Sequence, residues 1–339
     1  NQVMRTHFFS FFLCVLWQEA KSLKTGVVLK TQVAKSLKTG VVLKTQVKMS
    51  RSLRQLAIRI LKTPEAEEKC RLTREAVEAY RSGKIIQIVG NNEEELPEKP
   101  ARAIEEIRAG TIKKSSGVKA YLHSVTHAEC CAIDCFWDLL ARFGPQVEDA
   151  LGSERARLFA DDVLSIALKE STHFERLSTR LLEGYGTKYG DLEAHDTLAE
   201  SMLATNDDIL ARLVIVHLVH EARGLDVFDM GRKRLVGAGD TSTAKVLEAN
   251  YAQEIGHVKA MHSWFVTLAE HRGLDPRDTF AFHIRDPARW RAQGLKPPFN
   301  HQARAAAGLD QDWYLPLTLV QGQEGGKKSK KKKEESIRN

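Results

Sequence analysis

Proline is scarce in this 339-residue chain, nine residues, and the 22 glycines are no more than an ordinary share, which leaves room for long helices. Cysteine is scarce as well. Of the five, Cys130, Cys131 and Cys135 crowd one helical stretch, where adjacent side chains point apart rather than pair. Nothing resembles a disulfide framework or a C-x-x-C zinc site, so a reducing, cytoplasmic compartment fits best. The apolar run FFSFFLCVLW near the start covers ten residues, about half of what a helix needs to cross a bilayer, so no membrane insertion is expected. Strand signals are few, and neither a dinucleotide fingerprint nor a P-loop is present. Reducing equivalents, if the chemistry needs them, must come from an external electron donor.

The formal charge of +7 is carried by the two ends. Residues 1–48 hold eight Lys/Arg against one Glu, and 321–339 hold seven against three, which leaves the body at −4. A general nucleic-acid surface is therefore disfavoured. A local basic patch of Arg102, Arg108, Lys113, Lys114 and Lys119 remains as a place for a phosphate-bearing ligand.

The leader 1–48 contains AKSLKTGVVLKTQV twice in immediate succession, at 20–33 and 34–47. Two perfect copies point to a duplication rather than to a repeat fold. Met49 stands just before the first amphipathic stretch and is expected to be the natural start. The rival reading is a secretory signal, Met4-Arg5 followed by the apolar run. At the other end, 321–339 reads as a disordered Lys-rich tail after a Gly-Gly hinge.

Between these ends the pattern is all-α. Helices are expected at 51–62 and 65–82, then an extended crossing segment at 91–117, completing an N-terminal part over 49–117. Four longer helices follow at about 118–143, 154–184, 206–230 and 241–271, separated by FGPQ, GYGTKYG, GRKRLVGAGD and HRGLDP. Residues 118–271 thus read as a four-helix bundle, and 272–320 as an irregular C-terminal wrap with a short helix near 301–308.

Each long helix carries one Glu inside its apolar stripe: Glu129, Glu170, Glu221 and Glu254. Two are followed three residues later by histidine, Glu170 by His173 and Glu254 by His257, which puts each pair on one helix face. Four buried carboxylates and two imidazoles are costly in an apolar core unless compensated. Two divalent cations balance the four charges, and the pattern matches the known carboxylate-bridged di-iron and di-manganese bundles. Iron is the expected metal, with manganese or a mixed Mn/Fe pair the alternatives. Around these six, His217 lies one turn before Glu221 and is a core residue, a donor to a ligand or a ligand itself. Tyr251, one turn before Glu254, is placed to hydrogen-bond a ligand, relay an electron or pack. Gly224 and Gly256 leave space for O₂ or substrate, or for close helix packing. His123, His127, His220 and His262 read as surface or packing residues.

From about 115 to 320 the chain resembles a ferritin-like domain family of unknown function. The residues that carry the resemblance are HSVTHAECCAIDCFWDLLARF, ALKESTHFERLSTRL, ARLVIVHLVHEARGLDV, EANYAQEIGHV, LKPPFN and WYLPL. It implies a ferritin-like bundle with the same six ligands and supplies no reaction. More distantly the chain is similar to non-haem di-iron tRNA hydroxylases, which makes oxygenation an expectation by analogy. The expected activity is an O₂-activating hydroxylase or oxidase of a small-molecule or RNA-borne substrate. The alternatives are a ferroxidase or iron-handling protein, and a metal-stabilised binding module without turnover. The last would seal its metals from solvent.

Overall fold

The computed structural model describes residues 52–85, 87, 88, 94–104, 106, 107 and 117–319. The leader with its duplication, the expected start at Met49 and the Lys-rich tail lie outside them. Two amphipathic helices come first, α1 (Leu53–Leu61) and α2 (Ala66–Arg81). The Ser52 side chain caps α1 by accepting from the Gln55 N–H at 3.3 Å. A crossing segment then leads to the two-residue strand β1 (Glu106–Ile107), which pairs in parallel with β2 (Ala194–His195).

The helix expected to stop at FGPQ does not stop there. Helix α3 (Val118–Tyr185) runs straight through Pro145, because Leu140, Phe143, Val147 and Leu151 keep their apolar spacing on both sides of it. The break comes at Gly152, whose φ of 80° and ψ of 164° fold the element into halves 118–151 and 153–185. Such a φ is open to glycine and strained for other residues. Gly186, in the left-handed region, ends the second half.

A short helix that the spacing does not announce, α4 (Thr197–Ala204), precedes the next long element. That element is composite: α5 (Ile209–Arg212), a π-helical segment Leu213–His220, then α6 (Glu221–Gly237). Every residue from Leu213 to Val219 is buried. Helix α7 (Thr241–His271) follows, capped by the Asp240 carboxylate, which accepts from the Thr243 N–H at 2.9 Å. The C-terminal region contains α8 (Pro276–Arg285), α9 (His301–Ala306), α10 (Gln311–Tyr314) and a 3₁₀ turn, Leu315–Leu317. No described helix is long and apolar enough to cross a membrane.

Four buried ion pairs clasp these elements. Lys69 on α2 and Arg102 in the crossing segment both bind Asp134 on α3. Arg212 on α5 binds Asp138, one turn further along α3. In the C-terminal region, Arg304 binds Asp226 on α6 through two hydrogen bonds of 2.7 and 2.8 Å. Arg102 is thereby buried and engaged, so it belongs to no surface basic patch. Of the other patch residues, Lys119 is exposed, and Arg108, Lys113 and Lys114 lie outside the described residues. Removing one partner of such a pair leaves an uncompensated charge. Arg304→Met is therefore expected to lower unfolding stability by about 3–5 kcal/mol, read from denaturant melts, whereas a change below about 1 kcal/mol would mean the clasp carries little.

Candidate metal centre

The helix geometry turns five of the six stripe residues toward one point. His173 Nδ1 lies 2.9 Å from Glu254 Oε1, 3.4 Å from Glu170 Oε2 and 3.6 Å from Glu129 Oε2. His257 Nδ1 lies 2.7 Å from Glu170 Oε1 and 3.1 Å from Glu254 Oε2. The two imidazoles stack with ring centroids 5.7 Å apart. One ligand atom from each of Glu129, Glu170, His173 and Glu254 falls within 4.8 Å of the others. Glu221, the first residue after the π-helical segment, lines the same cavity as Glu129, Glu170 and Glu254.

These approaches are not all hydrogen bonds. Glu170 Oε1 and His173 Nδ1 are buried and have no hydrogen-bond partner among the described residues, although charged atoms lie within 2.9 Å of each. Carboxylate oxygens and ring nitrogens from five side chains thus crowd one shared centre. That is how metal ligands are disposed, and the donor set of hard carboxylates with two imidazoles suits divalent iron or manganese.

Electrostatics at the centre run in opposite directions for neighbouring groups. Burial, opposed by the His173 imidazole and reinforced by Glu170 and Glu254, pushes Glu129 up to about 8. Burial and the charges of Glu170 and Glu254 hold Glu221 well above the usual carboxylate range. For Glu170 burial acts upward too, but His257 and His173 outweigh it and hold the carboxyl below its usual value. Burial disfavours both imidazolium ions. The carboxylates outweigh it, raising His257 to about 10 and His173 further still.

The remaining candidates divide. Gly224 and Tyr251 line the cavity. The Tyr251 hydroxyl touches no ligand: it accepts from Asn300 Nδ2 at 2.9 Å, and its ring stacks on Phe228 with centroids 3.9 Å apart. His217 is fully buried but packs on the Phe136 ring, 4.6 Å between centroids, and does not line the cavity. A π turn closes over five residues instead of four, so the residue four before Glu221 no longer stands beneath it. Burial and Arg212 lower His217 to about 3, and neither ring nitrogen has a partner among the described residues. Gly256 is exposed and lines an outer groove with Asp161 and Asp162, away from the centre. Two residues after Glu254 on an α-helix is nearly the opposite face.

His220, which reads from sequence as a surface or packing residue, lines the cavity beside Glu221 and meets the Ser201 hydroxyl at 2.9 Å. Asn250 also lines it, one turn before Glu254. Its spacing from Leu247 and Glu254 was the available signal. His123 and His127 are buried rather than at the surface; His127 sits with Cys131 (3.3 Å) and Glu106 (3.4 Å) in a second group of metal-ligating type. There the Arg102 guanidinium already binds Glu106, so the cation's place is taken. His262 packs edge-on to Trp313.

The cavity has a volume of about 410 Å³ and is walled mainly by apolar side chains such as Val125, Leu198, Leu247 and Phe228. It reaches the centre itself: the Glu129 and Glu254 side chains stay 13% and 17% exposed, while those of Glu170, His173 and His257 are at 1% or less. One edge of the cluster is thus open and the other closed.

Residues 62–315 match the model of a family described as "Protein of unknown function (DUF455)". An uncharacterized protein of Haemophilus influenzae is similar to the chain, 33% identical over 265 residues, which is 75% of this chain and 90% of that protein. No solved structure matches.

Proposed function

We propose a di-metal oxidoreductase function for this chain, which belongs to the DUF455 family of proteins of unknown function. In this reading 118–271 is a ferritin-like four-helix bundle, and Glu129, Glu170, His173, Glu221, Glu254 and His257 hold two divalent metal ions, iron first. Bound iron would supply one-electron steps and reaction with O₂. The observation that carries the reading is the convergence of Glu129, Glu170, His173, Glu254 and His257 on one buried point that an open cavity reaches through Glu129, Glu170 and Glu254. A metal held only for stability needs no such opening, which favours turnover over the binding-module alternative.

The chain's own residues then have distinct tasks. Glu170 contacts both imidazoles and spans the centre. Glu129 and Glu254 border the open edge, where exchange with solvent or substrate takes place. The apolar walls keep water away from reacting groups. Residues 276–317 brace this arrangement from outside through Arg304–Asp226 and Asn300–Tyr251.

The direct experiment is anaerobic loading with Fe(II) followed by exposure to O₂, with absorption and Mössbauer spectra. Oxidation of two irons per chain within minutes is expected. Two bound irons that stay ferrous over hours, with or without an electron donor, would overturn the oxygenase reading. Ferric iron accumulating far beyond two per chain would favour iron handling.

Gly224→Leu separates access from ligation. A Cβ at Gly224 meets no atom within 4 Å, so the leucine enters open space and extends along the cavity wall. Helix propensity favours leucine over glycine by up to about 1 kcal/mol, so the fold is not weakened. Two metals should still bind, while Fe(II) oxidation by O₂ slows by about tenfold, roughly 1.4 kcal/mol of added barrier. An unchanged rate would show that O₂ enters elsewhere.

A further inference from the structure

One wall residue of the cavity has a hydrogen-bonding group that the fold does not use. Asn250 is 3% exposed and stands on α7 one turn before Glu254. Its Oδ1 accepts from Arg176 Nη1 at 3.3 Å. A guanidinium has only donors, so this contact decides which end of the amide faces Arg176 and turns Nδ2 the other way. Nδ2 is buried and has no hydrogen-bond partner among the described residues. A buried donor left unmatched costs about 1–3 kcal/mol, so its retention beside a ligand-sized space calls for a partner.

The walls around it indicate what that partner is attached to. Val125, Leu247 and the stacked Phe228–Tyr251 pair present apolar surface. Arg223 is the one Lys or Arg that lines the cavity among the described residues. Its Nη1 is already engaged, donating to the Lys296 and Pro298 carbonyls at 3.0 and 3.1 Å. The His220 ring is engaged as well, its Nε2 lying 2.9 Å from the Ser201 hydroxyl. The four glutamates already balance the two metals of the proposed centre, so a carboxylate or phosphate inside this space would add a negative charge that nothing in it offsets.

We infer that the cavity binds an uncharged organic molecule with an apolar body and one acceptor oxygen, a carbonyl or hydroxyl, which Asn250 Nδ2 hydrogen-bonds. This rests on the reading of the cavity as the substrate site of the metal centre and adds the substrate's chemical class. Neighbours one turn apart on a helix have Cβ atoms about 5–6 Å apart, so Asn250 anchors the oxygen close to the ligand sphere of Glu254. Asn250 is a binding and positioning residue: it sets which part of the molecule faces the metals.

The test uses three probes on the full chain by ligand-observed NMR: hexan-2-one (neutral acceptor), toluene (apolar, no acceptor) and hexanoate (anion). Asn250→Leu should weaken hexan-2-one about 5–10-fold, the worth of one hydrogen bond, and leave toluene unchanged or tighter. Asn250→Asp keeps the shape and the Arg176 contact but removes the donor, so the same loss is expected should the leucine variant fail to fold. Hexanoate should bind more weakly than hexan-2-one to the unmodified protein. Three results would each overturn the inference: equal weakening of hexan-2-one and toluene, tighter binding of hexanoate, or no binding of any probe. Metal stoichiometry is measured separately on the same samples. A chain that takes up no metal yet shows the probe pattern contradicts the metal reading alone, and one that takes up two metals without the pattern contradicts this inference alone.

Discussion

Glu170→Gln is expected to lower metal affinity by about 10²–10³ while leaving a folded chain. The side chain keeps its volume but loses the charge that faces His257 Nδ1 at 2.7 Å and His173 Nδ1 at 3.4 Å. Loss of one partner from a buried charged cluster costs about 3–5 kcal/mol, and each 1.4 kcal/mol is tenfold in affinity. The measurement is metal content after anaerobic Fe(II) loading and desalting, with circular dichroism on the same sample. Retained helicity with two irons still bound would show that Glu170 is no ligand. Collapse of the fold even in the metal-free state would show instead that the carboxylate serves chiefly to neutralise the two imidazoles.

The second large effect is in pH. Glu129 is raised to about 8, His257 to about 10 and His173 further still, so these three hold a proton at pH 7 in the metal-free chain, and burial with the charges of Glu170 and Glu254 favours the protonated form of Glu221 as the fourth. Glu170 stays ionised. Two divalent ions then replace four protons, which keeps the net charge of the core unchanged. Metal binding should therefore release about four protons per pair, and each ion's affinity should fall about 100-fold per pH unit below pH 7. A pH-sensitive dye in weak buffer during zinc titration reads the release directly. Fewer than one proton per ion would contradict this charge balance.

The same shifts set the stability of the metal-free chain. All four groups have a folded value above the unfolded one, so what they contribute is present at low pH and is lost as pH rises. The loss begins above about 4 for the glutamates and 6.5 for the histidines, and for Glu129 and His257 runs to their folded values of about 8 and 10. Glu170, held low, acts in the opposite sense and loses its contribution as the medium becomes more acid than an ordinary carboxylate. Metal-free protein should thus be most stable at mildly acid pH, and the gain from metal should grow toward alkaline pH.

The helix spans were legible because each buried face repeats with the helical period. The spacing expected for the last long helix, 241–271, coincides with α7, and 154–184 differs from the second half of α3 by one residue at each end. Spacing also carries the exposure of Gly256, two residues from Glu254. Other features had no local signal. Pro145 suggests a stop, but burial of Phe143 and Val147 outweighs one missing backbone hydrogen bond, and the positive φ needed for reversal sits at Gly152. The π-helical segment reads as an ordinary apolar helix, since LVIVHLVH has no residue that marks a widened turn. It leaves His217 off the cavity while His220 lines it. Asn250 looked like one polar residue on a long helix. Its role depends on Arg176, 74 residues earlier, fixing the orientation of its amide.

The central claim is that six side chains from four helical segments hold two metals at one point, and anomalous diffraction from iron-loaded crystals tests it most directly. Two peaks are predicted about 3.5–4 Å apart. They should lie between His173 and His257, with Glu170 contacting both and Glu129, Glu221 and Glu254 completing the shells. A single peak, no peak, or density at Glu106, His127 and Cys131 instead would contradict the account.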